Sequence, residues 1–185
     1  MNLVLAITGA SGAYAAELLI ARSPWPITLV ASEWGKDLAD RECQSFQALT
    51  SRVAETLDDA DLSASIACGA VATAGMVVLP CTTNTMGKIA AGIADTLVTR
   101  AAHCHLKEAA KLVLCVRETP WTLIDLDNAR KIAAAGGTIM PLSPPFYAFA
   151  DGRPADSVTM TDLLGAYVDR VLKVLRQGSP PGRDA

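Results

Sequence analysis

The sequence has no long apolar run and no surplus of basic residues. No segment approaches the ~18 consecutive apolar residues needed to cross a membrane, and Met1 leads directly into a short apolar stretch without the basic segment of a secretion signal. With 16 basic and 19 acidic residues, the net charge of −3 provides no electrostatic footprint for nucleic acid or an anionic membrane. We therefore predict a cytoplasmic protein that binds neither nucleic acid nor membrane.

Histidine and cysteine are too few and too scattered to indicate a metal site. The two histidines, His103 and His105, flank Cys104, and side chains two residues apart diverge on a helix. The five cysteines are odd in number and lie mostly in apolar stretches, which suits buried thiols in a reducing compartment better than disulfides. We predict no metal centre.

The remaining composition is that of a folded domain with an apolar exterior. Hydrophobic residues make up 51% of the 185 residues and charged residues 19%, which excludes disorder and indicates a surface of the kind that oligomers hide. The length is near the usual size of one domain. We predict a single domain over residues 1–177 and a flexible Pro/Gly-rich tail over residues 178–185.

Short apolar runs alternate with segments of helical periodicity along the chain. The runs predict five strands at 3–7, 27–31, 76–79, 111–116 and 138–140. The periodic segments predict helices at 13–21, 36–46, 86–91, 95–108, 122–135 and 161–175, with a short helix at 65–68. The acidic stretch over 49–67 is interpreted as a surface excursion. This alternation is typical of an α/β fold, a doubly wound parallel sheet between two helical layers.

Polar residues follow the predicted strands where each strand ends. The third strand is followed by Thr82, Thr83, Asn84 and Thr85, directly before an Ala-rich helix. A strand, a polar loop and a helix N-terminus with unpaired N–H groups form the geometry of a phosphate or cofactor site, although an ordinary N-cap by Thr or Asn explains the same residues. The turn after the first strand lacks the GxGxxG dinucleotide fingerprint, since it contains glycine only at positions 9 and 12.

Several motifs together carry a family resemblance. They are GASGA at 9–13, PCTTNTMGKIAAGIADTL at 80–97, TRAA and LKE within 99–108, RETP at 117–120 and PPFY at 144–147. In these motifs the chain resembles the flavin prenyltransferases. That family is part of a wider set of FMN-binding, flavodoxin-like proteins, which includes phosphopantothenoylcysteine and peptidyl-cysteine decarboxylases and dihydromethanopterin reductase. The resemblance spans residues 1 to about 175 and implies a flavodoxin-like, Rossmann-type fold with FMN as cofactor.

The resemblance also implies roles for individual residues. FMN would be held or flanked by Gly9, Ser11, Gly12, Ser32, Thr82, Thr83, Asn84, Thr85, Arg100 and Glu118. Lys107, Tyr147 and Arg170 would clamp the phosphate of a dimethylallyl donor, and the catalytic set would be Glu42, Lys107 and Glu118, with the two glutamates handling protons. A lysine, an arginine and a phenol suit a phosphate clamp. Taken singly, each residue is also explained by surface charge or packing, and Glu42 by a solvated helix face.

The chain departs from the prenyltransferase pattern at three places. Ala15 and Ala16 stand where a Tyr-Gly pair is typical, and Asn84 replaces the lysine of the usual Cys-Ser-Met-Lys-Thr loop. Replacing a lysine removes a cation near a phosphate-binding site. The segment 148–161 is longer than usual and could reshape the mouth of the second-ligand pocket. The loop residues are more similar to the redox and decarboxylase branches of the wider set.

Two enzymatic functions follow, with a homo-oligomer built from trimers and FMN at the subunit interfaces in both. Our first hypothesis, which the loop favours, is an FMN-dependent reductase that resembles dihydromethanopterin reductase and passes electrons to a pterin-like acceptor. The alternative is a flavin prenyltransferase that joins a dimethylallyl group to reduced FMN and supplies the product to a decarboxylase. A non-catalytic FMN carrier is a third possibility. The cysteine decarboxylases are disfavoured because neither His103 nor His105 lies soon after the first helix.

Overall fold

The computed structural model describes residues 1–149 and 154–177. Its six strands form one parallel sheet in the order β3-β2-β1-β4-β5-β6. They are β1 (Leu3–Ile7), β2 (Ile27–Ala31), β3 (Glu55–Asp58), β4 (Gly75–Cys81), β5 (Leu112–Val116) and β6 (Thr138–Ile139). The order reverses direction between β1 and β4, which is where open α/β sheets bind their ligands.

Helices cover both faces of the sheet. The α-helices are α1 (Ala13–Arg22), α2 (Glu33–Glu42), α3 (Phe46–Thr50), α4 (Thr83–Ala90), α5 (Leu97–Lys107), α6 (Leu123–Ala134) and α7 (Met160–Arg176). Single turns of 3₁₀-helix occur at Ser65–Ala67, Phe146–Phe149 and Ala155–Ser157. None of the helices in the described part of the chain has the length and apolar character needed to cross a membrane.

The two faces of the sheet belong to separate cores because successive strand side chains point in opposite directions. Leu5 of β1 packs in one cluster with Leu19 of α1 and Leu172 of α7. The adjacent Val4 packs in a second cluster, which includes Met86 of α4 and Ala101 of α5. Every residue of β1, β2, β4 and β5 is buried, which explains their nearly continuous apolar sequences. The three-layer α/β fold predicted from the sequence is confirmed.

Two predicted elements need correction. The stretch 49–67, predicted as a surface excursion, contains β3, an edge strand that pairs with β2 and whose largely exposed residues lack an apolar pattern. The helix predicted from residue 36 begins at Glu33, since the Ser32 hydroxyl caps it by accepting from the Gly35 N–H at 3.1 Å. It ends at Glu42, and a separate helix, α3, follows.

Two predictions concern segments that the structure describes incompletely. The predicted tail over 178–185 lies outside the described residues, and so do residues 150–153 within the predicted insertion over 148–161.

Candidate ligand site at the carboxyl ends of the strands

The ends of β1 and β4 are joined through one buried hydroxyl. The Thr8 side chain is 2% exposed, donates to the carbonyl oxygen of Pro80 at 2.9 Å and accepts from the N–H of Thr82 at 3.0 Å. Both hydrogen-bonding functions of the hydroxyl are therefore used within the protein. This pair of bonds fixes the loop after β1 against the loop after β4.

The turn between β1 and α1 requires glycine at position 12. Gly12 is the N-cap residue of α1 and has φ of 111°, a left-handed conformation that side chains disfavour. A Cβ there would also overlap the side chain of Leu142. The glycine-bearing turn predicted from the sequence is therefore formed. The neighbouring Ser11 hydroxyl makes no hydrogen bond to a described residue, so it is available to a ligand.

Glu42 lies at this same turn, although it is thirty residues further along the chain. One of its carboxylate oxygens accepts hydrogen bonds from the N–H groups of Gly12 and Ala13, both at 2.7 Å. These are donors at the start of α1, where the helix leaves N–H groups unpaired and favours negative charge. The solvated-face explanation of Glu42 is therefore wrong, and the residue lies beside the glycine turn.

The start of α4 combines an N-cap with unused donors. The Thr82 hydroxyl accepts from the N–H of Thr85 at 3.0 Å and donates to its hydroxyl at 2.9 Å. The next two N–H groups, of Thr83 and Asn84, have no acceptor among the described residues. The N-cap explanation is therefore confirmed for Thr82, and the two unpaired donors beside it are of the kind that an anion requires.

A cavity of about 270 Å³ opens at these strand ends. We call it the strand-end cavity. Its walls are formed by Thr8, Gly9, Ser32, Trp34, Asp59, Thr82, Asn84, Thr85, Lys88, Thr96, Val98 and Thr99. Most of the polar lining residues carry hydroxyl groups, and they lie at the ends of strands and the starts of α2, α4 and α5. Helix starts suit a phosphate-bearing ligand.

The wall formed by α5 is saturated by protein contacts. Asp59 follows β3, and its carboxylate accepts from the N–H of Val98 at 2.8 Å while its carbonyl oxygen accepts from the N–H of Leu97 at 2.7 Å. Thr96 and Thr99 complete a reciprocal capping box. The start of α5 therefore closes the cavity but offers few donors to a ligand, in contrast to the start of α4.

The predicted cofactor residues divide between the cavity and its surroundings. Gly9, Ser32, Thr82, Asn84 and Thr85 line it, while Ser11, Gly12 and Thr83 belong to the adjoining loop and helix ends. The other lining residues, which were not predicted from the sequence, are Thr8, Trp34, Asp59, Lys88, Thr96, Val98 and Thr99. Thr8 and Lys88 stand next to or inside the quoted motifs, whereas Asp59 follows the strand that was missed.

Arg100 and Lys107, which were predicted as site residues, do not line the strand-end cavity. The Arg100 Nε donates to the carbonyl oxygen of Ala67 at 3.0 Å. Lys107 is exposed at the end of α5, where its Nζ lies 2.6 Å from the carboxylate of Glu108, which raises the pKa of the lysine. About 12 Å of helix separate Lys107 from Thr99, at 1.5 Å per residue. Lys107 therefore does not reach the strand-end cavity of its own chain.

Tyr147, Arg170 and Glu118 are also exposed and do not line this cavity. Arg170 belongs to α7, in the layer with α1, whereas Lys107 belongs to α5, in the layer on the opposite face of the sheet. Glu118 follows β5, and its carboxylate accepts from the N–H of Thr119 at 3.1 Å. A single chain does not bring the predicted phosphate clamp together.

Cys81, Cys115 and His105 are buried and have structural roles. Burial raises the pKa of the Cys115 thiol to about 12 and also raises that of Cys81, so neither is a nucleophile. All five cysteines are free, as predicted. His105 is 5% exposed and its ring nitrogens lie 2.8 Å from the carbonyl oxygen of Ala101 and from the Thr73 hydroxyl. Burial lowers the pKa of His105.

Comparison with known proteins places the chain in a family. The sequence profile of the family named Flavoprotein matches residues 1–172. The chain belongs to the Flavoprotein family. This flavoprotein is 35% identical over 181 residues to the flavin prenyltransferase UbiX of Thermoplasma acidophilum, and the match covers 97% of both chains. The expected flavin cofactor agrees with this family.

Two solved structures share both fold and sequence with this flavoprotein. AnUbiX (PadA1), crystallised with FMN and dimethylallyl pyrophosphate, has a TM-score of 0.87 and 31% identity, with coverage of 96% of this chain and 93% of that one. A dodecameric FMN-dependent UbiX-like decarboxylase from Escherichia coli O157:H7 has a TM-score of 0.86 and 34% identity over the whole of both chains. The relatives are enzymes, which supports the enzymatic expectation over a carrier.

These similarities overturn our first functional hypothesis. The reductase expectation, with its pterin acceptor, is wrong, because the relative matched over nearly its whole length is a flavin prenyltransferase. DmrB of Burkholderia xenovorans, described as a cage for redox transfer, shares only 17% identity at a TM-score of 0.64, which is a likeness of fold alone. The departure at Asn84 is confined to one loop, whereas the motifs of the prenyltransferases are spread over the rest of the chain.

Proposed function

We propose that this protein is a flavin prenyltransferase, which transfers a dimethylallyl group from a phosphate ester to reduced FMN. The observation that carries the proposal is the strand-end cavity beside Glu42. The cavity is lined by Asn84, whose N–H group is unpaired, and by the Ser32 hydroxyl, and the unpaired N–H group of Thr83 adjoins it. The whole-chain similarity to a flavin prenyltransferase supports the same function.

The residues present fit FMN. Two unpaired N–H groups at the start of an eight-residue helix suit the phosphate, since the positive helix end and free donors both favour an anion. The free hydroxyl of Ser11 and the glycine turn at Gly9 to Gly12 allow close approach of a flat ring system. Bound FMN, once reduced, would supply the nucleophilic ring that accepts the prenyl group.

Proton handling falls to the two glutamates. The transfer breaks the bond between the prenyl carbon and the ester oxygen, releases the phosphate, and joins the prenyl group to the flavin with loss of one flavin proton. The attached prenyl group would then close a further ring on the flavin, and a second proton would move from the flavin to the prenyl chain. Glu42, fixed by Gly12 and Ala13, and Glu118, at the end of β5, are the carboxylates we assign to these steps.

The donor phosphate would be bound by more than one subunit. Lys107 and Arg170 lie in layers on opposite faces of the sheet, and Tyr147 is 73% exposed. We therefore assign them to sites at the contacts of a homo-oligomer built from trimers, in which one chain supplies Lys107 and another supplies Arg170. Exposed apolar side chains, such as Leu123 at 81%, and the dodecameric relative support such an assembly.

A single incubation tests the function. The purified protein is mixed without oxygen with reduced FMN and either dimethylallyl phosphate or dimethylallyl pyrophosphate, and the flavins are analysed by mass spectrometry. We expect a product heavier by one prenyl unit, which the Lys107→Ala variant does not form because the donor phosphate has lost its cation. Absence of this product with both donors, from protein that has bound FMN, would rule out the proposed function.

A further inference from the structure

We propose that Lys88 is the cation that binds the phosphate group of the ligand in the strand-end cavity. On this view Lys88 makes the protein prefer FMN to riboflavin, which lacks the phosphate. The inference rests on the proposed function, because it takes FMN as the ligand.

Lys88 is placed on the wall that offers free donors. It is the one cation among the described residues that line the cavity, where Asp59 is the one carboxylate. It follows Asn84 by four residues in α4, and residues four apart lie on the same face of a helix. The side chains of Lys88 and Asn84 therefore lie on one wall, formed by the helix whose first two N–H groups, of Thr83 and Asn84, are unpaired.

A neighbouring carboxylate positions this lysine. The Lys88 Nζ lies 2.7 Å from a carboxylate oxygen of Asp95, in the loop between α4 and α5. That loop is itself bonded to the lysine, since the N–H of Ile93 donates to the Lys88 carbonyl oxygen at 2.9 Å. An ammonium group has three donors, so the contact with Asp95 leaves hydrogens for a phosphate. Asp95 limits the freedom of the flexible side chain before the ligand arrives.

The one carboxylate among the described residues that line the cavity, Asp59, already makes a hydrogen bond within the protein. The Asp59 carboxylate accepts from the N–H of Val98 at 2.8 Å, at the positive end of α5. Its repulsion of a phosphate is reduced by this contact. Lys88 would also compensate for the departure in the loop. Asn84 is neutral where the prenyltransferase pattern has lysine, and Lys88 carries a positive charge one helical turn further on.

The test compares two flavins on matched variants. Dissociation constants for FMN and riboflavin are measured by quenching of flavin fluorescence with wild-type protein, Lys88→Met and Lys88→Arg. A charge-assisted hydrogen bond to phosphate predicts that Lys88→Met weakens FMN binding by about 10- to 100-fold. Riboflavin binding should change by less than about 3-fold, since no phosphate contact is lost. Lys88→Arg should keep most of the preference for FMN.

Lys36→Met is the matched control. The Lys36 side chain is 32% exposed and paired with Glu33 at 2.6 Å, against 31% exposure for Lys88, but Lys36 does not line the cavity. Equal losses for FMN in the two methionine variants, equal losses for both flavins, or no loss in Lys88→Met would each overturn the inference alone. A wild-type protein that binds neither flavin would overturn the proposed function together with it.

Discussion

A carboxylate oxygen of Glu42, at the end of α2, lies 2.7 Å from the backbone nitrogen of Gly12, at the start of α1. The same oxygen accepts from Ala13. This contact gives the carboxylate a structural role as a cap of α1, beside the glycine turn where we propose its chemical role. The two roles are separable by mutation.

Replacing Glu42 tests both roles. Glu42→Ala should lower the free energy of unfolding by about 1 kcal/mol, through loss of a capping carboxylate. Glu42→Gln keeps an oxygen acceptor and should lose less stability, yet it should form no prenylated product because an amide cannot exchange the proton. Urea denaturation and the product assay check these outcomes. Glu33→Ala, on the same helix and with the side chain 85% exposed, is the control and should leave stability nearly unchanged.

His105 predicts a loss of stability in weak acid. The Ala101 carbonyl oxygen only accepts, so Nδ1 carries the proton and Nε2 accepts from the Thr73 hydroxyl in a neutral ring. Because the folded-state pKa is lowered, the unfolded chain binds a proton first, and stability should fall as the pH drops below about 6.5. The contribution of this one group is at most about 1.4 kcal/mol per pH unit.

Urea denaturation at pH 7.5 and pH 5.5 measures this effect. His105→Gln should reduce the difference in stability between the two pH values, and His103→Gln should leave it intact. An undiminished difference in His105→Gln would show that other groups cause it.

Mixed oligomers test whether Lys107 and Arg170 act from different subunits. Lys107→Ala and Arg170→Ala chains should each be inactive, but co-expressed chains should recover product formation. Equal random mixing restores about a quarter of the sites when the two residues come from different chains. The activity of oligomers purified through a separate tag on each chain gives the measurement.

A second mixture provides the control for this recovery. Lys107→Ala chains combined with the Lys107→Ala, Arg170→Ala double variant contain no intact Lys107 and should stay inactive. Failure of the first mixture to recover, in oligomers that contain both chains, would place the two residues in one subunit's site.

The first turn of α6 should contribute to assembly. Leu123 and Ile124 are 81% and 72% exposed, which is costly for large apolar side chains in a free surface. Leu123→Lys should shift the protein to smaller species in light scattering after size-exclusion chromatography, and product formation should fall with it. Asp127→Lys places a lysine on the same helix and changes the net charge even more, but it removes no apolar side chain and should preserve the assembly.

The sequence predicts best those features that rest on local pattern. The buried runs that became β1, β2, β4 and β5 were correctly placed because strands covered on both faces are continuously apolar. β3 was missed because an edge strand, paired on one side and exposed, needs no such run. For the same reason Asp59, which follows β3, was not predicted as a site residue.

Contacts between segments far apart in the sequence were also not predicted. Nothing in the sequence around Glu42 indicates that its carboxylate caps a helix thirty residues earlier. Conversely, Lys107 lies in a matched motif, yet its place at the end of α5 separates it from the cavity of its own chain. Lys107 would complete a neighbouring subunit's site only in the assembled oligomer. The arrangement of subunits leaves no local pattern in the sequence. The single domain and the cytoplasmic location stay predictions.

The two outer strands of the sheet constrain how copies of this chain can associate. β3 presents acidic residues, Glu55 and Asp58, and β6 at the other edge is only two residues long. Charged and very short edge strands resist pairing with a strand from another molecule. Growth by adding strand to strand is therefore blocked at both ends. We therefore expect copies of this chain to associate through their helical surfaces and not through their strand edges.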